Sequence, residues 1–457
     1  MRIHTIRSNG LAALSYLVTS DREALVIDPR RDASIYQELA KSQGVEIKFI
    51  FETHRNEDYV TGSLELQSLV PNCEIGHSNA TNFRFGEHSI NDGESFTIGK
   101  MCITCVHTPG HTDDSMCYAI SDTTTGPEPI VMFTGDTLFV NEVGRTDLVD
   151  LNKHAEMSQK LYTSLTEKIL PLGDGIIIHP GHGAGSVCGG AIGDREFSTI
   201  GYERIHNPWL KIGEEDFIDA KVNQRLTRAA YFKRCEKLNT DGPPLLDTLE
   251  NLSEIDVDDF KKLLKQETHQ AIDTRPATDF LEGHVPGTIS LSLTNMGLLS
   301  GWSLKSENSI SLILGQRGDL EEAWSYLIRV GLDNIIGFLK NGISGWSVKG
   351  LELETITHIS LDALQQRIND ESIHVLDIRE PHEFDTGHIP GSQNLPLTQI
   401  GIGKDILLGY GTNATICPSG NRSTTAASLL KRSGVKDIVV PLEGIKGWKA
   451  RGLPLEE

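Results

Sequence analysis

The sequence predicts an α/β protein of several domains, and three observations carry that expectation. Short apolar runs closed by polar, Gly-rich or His-rich turns recur through the first 235 residues: ALVIDPR, IKFIFETH, MCITCVHTPGH, PIVMFTGD and GIIIHPGHG. Such runs indicate strands buried on both faces with helices covering them. A stretch reading NTDGPPLL then places Gly242, Pro243 and Pro244 where a helix must stop. Beyond it lies an internal repeat, in which AIDTRPATDFLEGHVPG at Ala271–Gly287 answers VLDIREPHEFDTGHIPG at Val375–Gly391 with an offset of 104 residues. GISGW at Gly342–Trp346 answers GIKGW at Gly444–Trp448. Two modules of about 100 residues follow, with alternating strands and helices.

At 457 residues the chain exceeds one ordinary core, and the prior is about three domains. The expected division is a first domain over 1–238, a linker over 239–255, and modules over 256–354 and 355–457. Residues 214–238 read as one charged helix leading into the linker.

The formal net charge is −21, spread along the chain. That field repels phosphate backbones and anionic head groups, so neither nucleic acid nor a membrane surface is an expected partner. The N-terminal MRIHTIRSNGLAALSYLVTS reads as strand and turn rather than a signal peptide, and no apolar run reaches the ~18 residues needed to span a bilayer. Seven cysteines are odd in number and sparse for this length, which argues against a disulfide framework and for a reducing cytoplasm. Cys102 and Cys105 lie three apart in an alternating run, hence on opposite faces of a strand, and read as packing residues rather than a redox pair.

His54, His111, Asp136 and His182 each fall just past an apolar run, so one sheet edge collects imidazoles and a carboxylate from separate loops. Two neutral imidazoles and one carboxylate make a facial set with open positions, suited to non-haem ferrous iron that binds substrate and O2 together. Zinc can occupy the same ligand types.

Across these first 235 residues the motifs resemble the metallo-β-lactamase superfamily, an αββα sandwich. Its THxHxDH motif is matched by Thr53-His54-Arg55-Asn56-Glu57-Asp58-Tyr59, with Asn56 and Tyr59 in place of two histidines. TPGHT at Thr108–Thr112 and TGDT at Thr134–Thr137 are intact. Dinuclear thioesterases of the glyoxalase II type use both missing histidines. The superfamily's persulfide dioxygenases hold one iron by ligands that map onto His54, His111 and Asp136. The resemblance therefore implies one Fe(2+) per chain, with Zn(2+) as substitute, and assigns Asn56, Asp58, Tyr59 and His182 to orienting ligands or gating substrate. NEVGRTDL at Asn141–Leu148 resembles the segment beside that iron, which implies that Arg145 pairs with an anionic substrate group, the alternative being an ordinary surface ion pair. HGAGSVCGG and STIGYERIHNP are similar to bacterial dioxygenase–rhodanese fusions of the CstB type. There Cys188 sits near the iron, either relaying sulfur or as an inert buried thiol.

In the last module, TICPSGNRS follows a strand and opens a predicted helix. Backbone N–H groups of a tight loop and the helix N-terminus favour an anionic sulfur on Cys417, and Arg422 adds positive charge. Ser419 and Gly420 permit the sharp loop. The segment resembles the rhodanese active loop, with Pro418, Ser419, Gly420, Asn421 and Ser423 around Cys417. Its six-residue span from Cys417 to Arg422 is the rhodanese length, one short of related phosphatases. Counting back from Cys417 lands on Ile313–Gly315, without cysteine, so the middle module is expected to serve as a spacer or docking surface. His284 and His388, Asp273 with Arg275 and Asp377 with Arg379 read as scaffold.

Together these resemblances imply a persulfide dioxygenase and sulfurtransferase. It would take glutathione or CoA persulfide and O2 to sulfite or thiosulfate in sulfide detoxification, as a homo-oligomer, dimer or tetramer. The competing expectations are a zinc-dependent thioester hydrolase and a non-catalytic metal domain with sulfur relay at Cys417 alone.

Overall fold

Alternation of apolar and polar residues dictates how the first half folds. Along the strand Met101–His107, Met101, Ile103 and Cys105 face inward while Cys102 and Thr104 do not. A computed structural model describes residues 1–224, 226–246, 252–401 and 411–456, which form two compact units, Met1–Leu246 and Asp247–Glu457.

The first unit contains two six-stranded sheets among the described residues. One runs Arg2–Ser8, Ala13–Ser20, Glu23–Ile27, Glu46–Phe51, Glu74–Ser78, His88–Ile90. The other runs Ser198–Thr199, Ile177–Pro180, Val131–Gly135, Met116–Asp122, Met101–His107, Ser95–Ile98. Their inner faces share a core of Tyr16, Leu25, Phe51, Ile103, Tyr118 and Phe133. Each large apolar side chain fully buried there contributes roughly 1.5–3 kcal/mol. Helices Ser34–Gln43 and Ser63–Leu69 cover one outer face, and His154–Thr163 and Glu214–Asn223 cover the other. The unit is an αββα sandwich.

The predicted helix over 214–238 is instead two, Glu214–Asn223 and Phe232–Asp241. Between them the carbonyl of Thr227 accepts a hydrogen bond from the buried Arg145 guanidinium at 3.2 Å, and a continuous helix would have spent that carbonyl on its own backbone. The second helix stops at Gly242, whose φ is +90°. Asn239, in the stretch expected as linker, is fully buried against the first unit. Residues 247–251 of that stretch lie outside the described residues.

Among the described residues the second unit holds two parallel five-stranded sheets of identical order. These are Ser253–Ile255, Ile335–Leu339, Ser309–Ile313, His269–Asp273, Ile289–Ser290, and Thr357–Ile359, Ile438–Pro441, Thr412–Ile416, Ile373–Asp377, Gln393–Asn394. The repeat extends to side chains. Asp273 and Asp377 bind Arg275 and Arg379 at 2.7 and 2.6 Å. His284 stacks on Phe280 and His388 on Phe384 at 3.9 and 3.7 Å between ring centroids. No helix among the described residues is long and apolar enough to cross a membrane.

Candidate functional site

The metal-binding residue types sit where strands end. His54 follows Glu46–Phe51, His111 follows Met101–His107, Asp136 follows Val131–Gly135 and His182 follows Ile177–Pro180. Glycine permits the crowding: a Cβ on Gly135 (φ +48°) would lie 2.7 Å from the Thr53 side chain, and one on Gly181 would lie 2.6 Å from Asp136 Oδ1.

The ligand atoms of His54, His111 and Asp136 lie within 4.8 Å of one another, all buried. Nε2 of His54 and of His111 are 3.9 and 3.5 Å from Asp136 Oδ2. Backbone and hydroxyl partners fix both tautomers. Asp28 accepts from Thr53 N at 2.7 Å and from Thr53 Oγ1 at 2.8 Å, so the hydroxyl's proton is committed and its oxygen accepts from His54 Nδ1 at 2.9 Å. His111 Nδ1 donates to the carbonyl of Arg145 at 2.9 Å. In the neutral form of each ring the proton is on Nδ1, which leaves Nε2 with a lone pair aimed at the other donors.

Those Nε2 atoms, and Glu57 Oε2, are buried without a hydrogen-bond partner among the described residues. Glu57 was not singled out from the sequence, yet its Oε2 lies 3.8 and 3.5 Å from the two nitrogens. Three unpaired buried polar atoms facing one point are costly unless a cation joins them, so the donor set fits a metal. Without a metal, a proton on His111 balances the neighbouring carboxylates, and a metal ion would take its place. Burial opposes charge on His111, but Glu57 and Asp136 raise it to about 9. Burial likewise opposes charge on Glu57, yet His111 and His54 hold it at about 2. Burial holds His54 below the ordinary imidazole value.

His182 is placed differently. Its Nδ1 lies 2.8 Å from Asp136 Oδ1 and its Nε2 lies 3.1 Å from Asp58 Oδ2. Despite its burial, Asp136 and Asp58 raise it well above the ordinary value. An imidazolium with both nitrogens spent on carboxylates orients Asp136 and has no lone pair to offer. Burial raises Asp58 in turn. Asn56 turns its amide toward the carbonyl of His54 at 3.3 Å, and Tyr59 packs edge-on to His182 with ring centroids 6.1 Å apart. Asn239 clamps this loop, donating to the carbonyls of Asn56 and Tyr59 at 2.7 and 2.8 Å.

Two open alternatives bear on the surroundings of this site. Arg145 is 1 % exposed, and its guanidinium pairs doubly with Asp147 at 2.7 Å and donates to the carbonyls of Val187 and Thr227. It is committed inside the protein rather than to an anionic substrate, and serves the site through the carbonyl that holds His111. Cys188 is fully buried and donates to Glu57 Oε1 at 3.4 Å. Burial, then Asp58 and Glu57, push its thiol well up, which disfavours the thiolate a relay would need.

In the second unit, Cys417 ends the strand Thr412–Ile416 ahead of the helix Asn421–Arg432. It is 1 % exposed, and its Sγ accepts the N–H of Gly420 at 3.1 Å. Gly420 has φ +93°, and a Cβ there would lie 2.5 Å from the carbonyl of Leu442. Ser419 and Asn421 are exposed, Pro418 is half-buried, and buried Ser423 accepts from Thr415 Oγ1 through its carbonyl. Arg422 pairs doubly with Glu383 at 2.7 Å, so its charge braces the loop against a neighbouring helix. In the middle module buried Leu314 follows the corresponding strand.

Residues 8–182 match the metallo-beta-lactamase superfamily, and residues 256–349 and 360–451 match the rhodanese-like domain. The mitochondrial persulfide dioxygenase ETHE1 of Bos taurus is 31% identical over 210 residues, spanning 45% of this chain and 72% of the bovine protein. The chain belongs to the persulfide dioxygenase family. A solved metallo-beta-lactamase structure from Staphylococcus aureus subsp. aureus COL, 28% identical, superposes with a TM-score of 0.66 over 74% of this chain and 98% of that one. A probable hydroxyacylglutathione hydrolase of Schizosaccharomyces pombe is 28% identical over 37% of this chain and 62% of its own length. As a member of the persulfide dioxygenase family carrying two rhodanese-like domains, this chain is an enzyme of sulfur metabolism, and its fold and donor set imply a bound metal.

Proposed function

We propose that the first unit is a mononuclear iron persulfide dioxygenase and that Cys417 is a sulfur carrier. The substrate would be a low-molecular-weight thiol persulfide of the glutathione or CoA type. With O2 and water it yields the thiol and sulfite; a persulfide on Cys417 and sulfite then yield thiosulfate and the free thiol. A ferrous ion on this set would supply open positions for a substrate sulfur and O2 together.

The protein's own residues set up that chemistry. Asp28 and Thr53 hold the His54 ring, the Arg145 carbonyl holds His111, and His182 holds Asp136. Burial of all three ligands excludes bulk water and strengthens their field. At Cys417, the Gly420 N–H and the N-terminus of the helix Asn421–Arg432 stabilise an anionic persulfide.

The observation that carries the reading is the convergence of His54 Nε2, His111 Nε2 and Asp136 Oδ2 in a sequence lacking histidine at 56 and 59. A two-zinc hydrolase draws support from a second cluster, Asp58, His182 and Cys188, with ligand atoms within 4.8 Å. Against it, both His182 nitrogens are already engaged by carboxylates. The test is oxygen uptake by the iron-loaded protein with glutathione persulfide. Uptake should depend on persulfide and fall more than about a hundredfold in Asp136→Ala, since even partners outside the ligand shell are typically worth 10–100-fold. Equal uptake by the variant would defeat the oxygenase reading.

A further inference from the structure

We propose that Glu57 is a fourth protein ligand of this metal, through Oε2. The inference rests on the preceding reading that a metal sits on His54, His111 and Asp136. Its basis is geometric. Glu57 Oε2 stands 3.8 Å from His54 Nε2 and 3.5 Å from His111 Nε2, whereas Asp136 Oδ2 stands 3.9 and 3.5 Å from the same atoms. By distance to the two imidazoles the two carboxylates are alike. Donors to one ion at about 2.0–2.2 Å must lie within roughly 4.4 Å of each other, a limit all four of these distances meet.

Burial points the same way. Glu57 is 1 % exposed, and its Oε2 has no hydrogen-bond partner among the described residues. Its other oxygen is not idle, because Oε1 accepts from Cys188 Sγ at 3.4 Å. The thiol fixes the carboxylate's rotation so that Oε2 faces the imidazoles. Left without a metal, the Glu57 charge is compensated by imidazoles 3.5 and 3.8 Å away, too far for a hydrogen bond, and a metal ion between them would supply the partner that Oε2 lacks.

The test uses the full chain loaded with Co(2+) in place of iron, comparing the wild type with Glu57→Gln. Glutamine keeps the shape and the contact with Cys188 but binds metal poorly. Competition with a chelator should show a dissociation constant raised about tenfold to a hundredfold, and the cobalt absorption bands should change in intensity as water replaces the carboxylate. An unchanged constant with superimposable spectra overturns the proposal while leaving the three-residue site standing. Unchanged cobalt binding in His54→Ala would instead show that the metal reading itself is wrong. Should Glu57→Gln not fold, anomalous diffraction from metal-loaded wild type decides. Oε2 within about 2.3 Å of the ion supports the proposal, and beyond about 3 Å it overturns it.

Discussion

The two reactive centres are built by opposite means. Around His54, His111 and Asp136 the groups come from separate strand ends, and the two imidazole Nε2 atoms face Asp136 without hydrogen-bond partners among the described residues. Around Cys417 a single loop of the sequence supplies the cysteine, the glycine turn and the helix start, and the sulfur is already engaged by a backbone N–H. The first centre needs a cation to be complete, whereas the second is complete as folded. That contrast explains how the middle module could keep the sheet order, the Asp–Arg pair and the His–Phe stack while placing Leu314 after its strand. The scaffold does not depend on the loop.

If the centres are separable in this way, the largest effect comes from Cys417→Ser. Sulfur transfer from thiosulfate to a thiol acceptor should be abolished, while oxygen uptake with preformed glutathione persulfide stays within about twofold, because the change removes a nucleophile and no metal ligand. Loss of both activities would break the comparison. A smaller effect is expected of Thr53→Val, which removes the hydroxyl between Asp28 and His54 without touching the ligands. Metal affinity should fall about tenfold with sulfur transfer unchanged; an unaltered affinity would show that this chain does not orient the ring.

The smallest effect concerns the scaffold of the second unit. Burial holds His269 and His284 at about 4, against about 6.5 when unfolded. Between those values the unfolded chain binds more protons, so stability present above pH ~6.5 is lost as pH falls toward 4. The thermal midpoint of the second unit's transition should therefore decline from pH 7 to 4.5, less steeply in His269→Gln. A midpoint that is flat over this range contradicts the neutral buried imidazoles.

Legibility in the sequence followed the same divide. The Cys417 loop was readable because its chemistry is local, and the repeat because matching residues share one offset. The strand-end imidazoles were readable as a set, since apolar runs announce where each loop begins. Glu57 was not, because it occupies a variable position of its motif and its aim is fixed by Cys188, 131 residues away. Asp28 was missed for a similar reason: its contact with Thr53 exists only once the strands Glu23–Ile27 and Glu46–Phe51 pair. For Arg145 the neighbouring Asp147 made an ion pair legible, but nothing local reveals that two distant carbonyls consume its remaining donors. A charge-rich segment read as one helix broke at Thr227 on account of that same arginine.

The claim on which the rest depends is a single metal held by His54, His111 and Asp136. Metal analysis of full-length protein purified without oxygen addresses it most directly. One iron per chain is expected, and its loss in Asp136→Ala. Two zinc ions per chain, or no tightly bound metal, would contradict it.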